Sequence, residues 1–92
     1  MDKILNRLAQ YITVLKTALD STNQANERPL LLMHLAASAE MFAVLNQSND
    51  LSAIKPLVKL EVQSHGRSFI SGHFGEEIDS KWSSFINETG LV

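Results

Sequence analysis

The residues from Pro29 to Leu45, PLLLMHLAASAEMFAVL, constrain this chain more than any others. Only His34, Ser38 and Glu40 are polar in that run, and at 3.6 residues per turn they cannot line up as one wet face. A helix apolar nearly all the way round must be covered on most sides. The run therefore predicts a central helix over about 29–45, with the other segments packed against it. It is a poor membrane span. Its unbroken part, residues 30–45, carries a carboxylate and an imidazole and falls short of the roughly 20 apolar residues that a bilayer needs.

The rest of the chain reads as helices of ordinary amphipathic type. Over residues 3–19, Ile4, Leu5, Leu8, Tyr11, Ile12, Leu15, Ala18 and Leu19 follow the i, i+3, i+4, i+7 pattern of a single buried stripe. Asp2 is placed to cap that helix, and the polar cluster at residues 20–26 ends it. Asn26 is a candidate N-cap for the central helix, with Pro29 in its first turn. After the polar cluster at 46–50, a short turn over 51–54 leads into a third helix from Pro56 to about Ile70, interrupted by Gly66. Residues 71–75, SGHFG, form a break, and a last helix follows from about Glu76 to Thr89, with Glu76, Glu77 and Asp79 in its first turn. Trp82, Phe85, Phe69 and Phe74 are expected to cluster at one end. The fold class is thus all-α: an up-and-down bundle of about four helices in a single domain, 1–92.

Composition removes several function classes. A formal charge of −2 and eight scattered cations give no concentrated basic surface, which argues against a nucleic-acid partner. With no cysteine there is neither a disulfide nor a thiolate metal site. The first residues, MDKILNRLAQYITVL, lack the apolar block of a signal peptide, so a cytoplasmic location is expected. No serine stands in a Gly-x-Ser-x-Gly elbow, and no catalytic residue or cofactor is expected.

The ionisable residues divide into three groups. His34 sits alone on the apolar helix with Ser38 one turn later, the pattern of a core imidazole held by a hydroxyl or a carbonyl. Glu61 and His65, and likewise His73 and Glu77, are spaced i, i+4, where an imidazole and a carboxylate can share a metal. A full ligand set such as His-Glu-x-x-His is missing, and surface pairing or no interaction is the default for both. The glycine-bearing stretch from His65 to Glu77 offers Arg67, His73 and Phe74 for contact with a partner. An anion there would be opposed by Glu76 and Glu77.

Two expectations about function follow. The first is a small, non-enzymatic interaction protein of the adaptor, regulator or inhibitor type. It would use Arg67, His73 and Phe74, and would pair as a homodimer because three short partners do not cover the apolar helix. The alternative is a bundle that binds a small ligand, an anion or a metal through His65, His73 and Glu77.

Overall fold

The computed structural model describes residues 1–22, 24–67 and 72–91, with the side chains of 66, 67 and 72–74 left aside. All regular structure among the described residues is helical. The elements are α1 (Asp2–Ser21), α2 (Arg28–Ser48), a single 3-10 turn (Leu51–Ile54), α3 (Lys55–Arg67) and α4 (Gly72–Thr89). This is the expected all-α bundle.

Helix α1 buries Leu8, Tyr11, Leu15 and Ala18, the stripe that its periodicity marks out. It has neighbours on two sides, α4 and α2. The Lys3–Glu88 ion pair, 3.4 Å, joins the start of α1 to the end of α4, so these two run antiparallel. At its other end the Arg28 guanidinium donates to the Leu19 carbonyl, 3.0 Å, and closes the tight return into α2. Helix α2 in turn packs on α1, on the 3-10 turn and on α3.

The cap residues differ from expectation in two places. Asp2 lies inside the first turn of α1, where Met1 is the N-cap and no side chain accepts from the free amides. Glu27, not Asn26, precedes α2, with helical dihedrals, and its carbonyl accepts from Leu31 at 3.0 Å. Other ends follow ordinary rules. Asn49 adopts the left-handed conformation, φ 50°, that often terminates a helix. Asp50 caps the 3-10 turn by accepting from the Ser52 amide at 3.0 Å, and Gly90, φ 67°, closes α4.

The last helix starts four residues before the expected Glu76 and takes in His73, Phe74 and Gly75. Glu76, Glu77 and Asp79 therefore lie beyond its first turn, not within it. The expected aromatic group is present in part. Trp82 and Phe85 meet with centroids 5.6 Å apart, whereas Phe69 and the Phe74 side chain lie outside the described residues.

Helix α2 is where burial and apolarity part company. Its buried stripe is Leu31, His34, Ser38, Met41 and Leu45, so two of its three polar interior residues face inward. Leu32, Met33, Ala36, Ala39 and Ala43 face outward and are exposed. Only 28% of its most apolar 18-residue stretch is buried. The physical reason is coverage: α4 lies on the far flank of α1, so α2 is left with α1 and the shorter α3 to shield it.

Candidate functional site

Three helices bring polar side chains to one point inside the bundle. Tyr11 comes from the buried stripe of α1 and His34 from that of α2. Glu61 and His65, one turn apart, come from the inner face of α3. Trp82 of α4 closes the group from the remaining side. Tyr11 and His34 are at most 1% exposed and Glu61 is 2% exposed. His65 reaches the rim, its side chain 14% exposed.

The hydrogen bonds decide where the protons sit. His34 Nδ1 lies 3.0 Å from Glu61 Oε1. An ionised carboxylate only accepts, so His34 must carry a hydrogen on Nδ1. The Tyr11 hydroxyl is 2.6 Å from His65 Nε2 and 3.4 Å from Glu61 Oε2. A hydroxyl can both donate and accept, so the Tyr11 oxygen bridges the Glu61 carboxylate and the His65 ring. His65 Nδ1 is on the side where Asp79 Oδ1 stands 3.9 Å away, too far for a direct hydrogen bond. The His34 ring, expected to be held by a hydroxyl or a carbonyl, is held by the Glu61 carboxylate, and Ser38 donates to the His34 carbonyl at 2.7 Å.

The electrostatics agree with this assignment. Burial lowers the His65 pKa and the neighbouring His34 lowers it further, while the Glu61 and Asp79 charges pull the other way. The ring is therefore neutral at pH 7. Burial pushes the Tyr11 phenol well above its ordinary range, and the Glu61 charge beside it adds to the shift. Tyr11 is a hydrogen-bond donor here, not a phenolate.

Aromatic packing fixes the ring planes. His65 stacks on the Trp82 indole, centroids 4.8 Å apart, and sits 4.6 Å from the His34 ring. Tyr11 meets Trp82 at 5.2 Å in a tilted arrangement. Among the described residues no buried side-chain nitrogen or oxygen lacks a hydrogen-bond partner. The network is buried except at the His65 rim, and its side chains are held by one another.

Of the residues expected to form a ligand set, only His65 is placed here. The His73 side chain is outside the described residues, and Glu77 is half-buried along α4. Arg67 and Phe74, expected at a partner surface, likewise have side chains outside the described residues. The surface pairing expected of Glu61 and His65 is not what forms: both turn inward, and Glu61 bonds to α2 and α1 instead. Sequence reasoning did not join Tyr11 and His34 to this site. One signal was available, because Ile54, Val58, Glu61 and His65 recur at the spacing of one buried helical stripe.

A second feature lies on the outside. Between α1 and α2 runs an apolar groove of about 570 Å³, lined by Ile12, Leu35, Ala39 and Phe42, with Lys16 at its edge. On the same helix Leu32 and Met33 are 50% and 45% exposed. By length and composition alone α2 is apolar enough to cross a bilayer.

Compared with known proteins, the chain matches no family model, no curated protein and no solved structure. The class it defines is that of a small all-α protein with a buried Tyr–His–Glu–His network and one uncovered apolar helix face.

Proposed function

We propose that this protein is a small, cytoplasmic, non-enzymatic interaction protein that acts as a homodimer through the outer face of α2. The observation that carries the reading is that face: Leu32, Met33, Ala36, Ala39 and Ala43 side by side in solvent. Contiguous exposed apolar surface of this kind marks association sites in soluble proteins.

A second copy is the occupant that fits best. The exposed stripe of Leu32, Ala36, Ala39 and Ala43 runs along α2 beside the groove lined by Leu35, Ala39 and Phe42. A two-fold interface needs that self-complementarity, since each copy must offer both halves. An antiparallel crossing of the two α2 helices at Ala36 would bury the two exposed stripes against each other. A bilayer is a poorer occupant. The opposite face of α2 is the wall holding His34 and Ser38, and its only cation is Arg28 at the very start. A regulatory or adaptor role would then fall to the surface left outside the dimer, with Arg67, His73 and Phe74 as the residues to test first.

Sedimentation equilibrium at about 10–100 µM tests the pairing, in the micromolar range where a modest interface is populated. The expected mass is twice 10.2 kDa, falling to the monomer value for Leu32→Asp with unchanged helical circular dichroism. A wild-type monomer at the top of that range overturns the reading. Co-flotation of the monomer with phospholipid vesicles would assign the face to a membrane instead.

A further inference from the structure

We infer that His34, Glu61 and His65 form a binding site for one divalent first-row transition ion of the zinc type, tying α2 to α3. The inference stands apart from the proposed dimer, whose face lies on the opposite side of α2.

Geometry comes first. One donor atom from each of the three residues falls within 4.8 Å of the others. Zinc–nitrogen and zinc–oxygen bonds of about 2.0–2.2 Å set tetrahedral ligands roughly 3.3–3.5 Å apart. The three groups must therefore draw together by at most about 1.5 Å, which rotation of the Glu61 side chain and tilting of the His65 ring can supply. The ion would take over the contacts now made by the His34 Nδ1 hydrogen and the Tyr11 hydroxyl. Metal at Nδ1 requires His34 to move its one hydrogen from Nδ1 to Nε2, a change of tautomer that leaves the imidazole neutral.

The donor set selects the metal. Two imidazoles and one carboxylate suit zinc, cobalt, nickel or ferrous iron; magnesium and calcium prefer oxygen alone. A dipositive ion would also offset the charge of the one buried carboxylate.

The surroundings give a second and independent reason. A metal-bound imidazole usually gives its other N–H to a carboxylate or carbonyl, which fixes the ring. His65 already presents Nε2 to the interior and Nδ1 toward Asp79, 3.9 Å away and largely in solvent. Stacking on Trp82 holds the ring plane. Tyr11, kept protonated by burial, can donate to Glu61 without competing as an anionic ligand. Three protein ligands then leave a fourth position for water. The His65 rim, with Asp79 beside it, is the way in.

Burial makes the same case from energetics. An ion pair taken out of water is often no better than apolar side chains of equal volume. A 92-residue bundle that places two imidazoles, a carboxylate and a phenol at its centre forgoes apolar packing where its core is smallest. A bound ion accounts for that choice.

The test uses the untagged full chain, stripped with a chelator and titrated with Co²⁺ as a spectroscopic probe, then with Zn²⁺ in competition. The expected result is one ion per chain, visible d–d absorption between about 500 and 700 nm typical of tetrahedral cobalt, and its loss on adding zinc. His65→Gln and Glu61→Gln should each weaken binding by about 100-fold or more, while His73→Gln leaves it unchanged. His65 lies at the rim, so His65→Gln should stay folded even if Glu61→Gln does not. The inference fails if wild-type protein shows neither absorption nor a change in Tm with either ion at about 0.5 mM, a level that exceeds any structural zinc affinity. It also fails if binding survives His65→Gln.

Discussion

The rings of His65 and Trp82 lie face to face, with centroids 4.8 Å apart and planes 8° from parallel. This contact places the only indole of the chain against a titratable ring whose other side meets Tyr11 and His34. The indole is thus a built-in reporter of the network.

Because burial and His34 lower the His65 pKa, the fold favours the neutral ring. Between the unfolded value of about 6.5 and the lower folded value, the unfolded chain binds more protons than the folded one. Stability therefore rises with pH across that window and falls on acidification below about 6.5. In chelator-treated protein, urea midpoints measured from pH 7.5 to 5 should decline with falling pH. Trp82 emission of the folded protein should be quenched only at lower pH, where the stacked ring itself gains charge. His65→Gln should flatten both curves; an unchanged slope would mean that His65 titrates normally.

The alkaline limb has the opposite sign. The Tyr11 phenol is pushed upward by burial and by the Glu61 charge, so the fold resists its ionisation. Stability held below about pH 10 is lost as pH rises past that unfolded value. Tyr11 is the single tyrosine, so phenolate absorbance near 295 nm reads it without ambiguity. That absorbance should appear only together with loss of helical circular dichroism. A phenolate signal from still-helical protein would place Tyr11 in contact with solvent.

Legibility in the sequence varied with the kind of pattern each element carries. Helices α1 and α4 show one apolar stripe each, and Leu8–Tyr11–Leu15–Ala18 and Ile78–Trp82–Phe85 are buried along those stripes. Helix α2 has apolar residues on both faces, so its pattern cannot say which face is covered; the inward side is the one bearing His34 and Ser38. Apolarity there signals an uncovered surface as much as a core. The network itself joins positions up to 54 residues apart on separate helices, and no local spacing encodes which helices meet. The start of α4 was hidden because Gly72 and Gly75 read as a break, yet both sit within helix once α4 has α1 to pack against.

The His34–Glu61 contact should behave as a buried pair and not as a sum of two residues. Removing one partner leaves the other dry and uncompensated, at a cost of about 3–5 kcal/mol. His34→Leu and Glu61→Leu should each destabilise the protein by roughly that amount in urea unfolding. The double variant should recover much of the loss, because Tyr11 and His65 still satisfy one another at 2.6 Å. Additive losses would show that the two side chains contribute independently, through packing alone.

Two methionines on α2 separate the inner face from the outer by the same chemical change. Met41 is fully buried and Met33 is 45% exposed. Met41→Ala deletes core volume that the surrounding helices cannot refill, and about 2–5 kcal/mol of stability should go with it. Met33→Ala removes a side chain already in solvent within one chain, so under dilute, monomeric conditions the change should stay within about 0.5 kcal/mol. At high concentration the order of effects should alter, since Met33 lies on the proposed dimer face and Met41 does not. There Met33→Ala should weaken self-association while Met41→Ala leaves the dimer constant of the folded protein nearly unchanged. Urea midpoints at two protein concentrations, combined with sedimentation of both variants, measure each effect separately. If Met33→Ala proved as destabilising in the monomer as Met41→Ala, the outer face of α2 would be covered within the single chain, and the case for a twin would go with it.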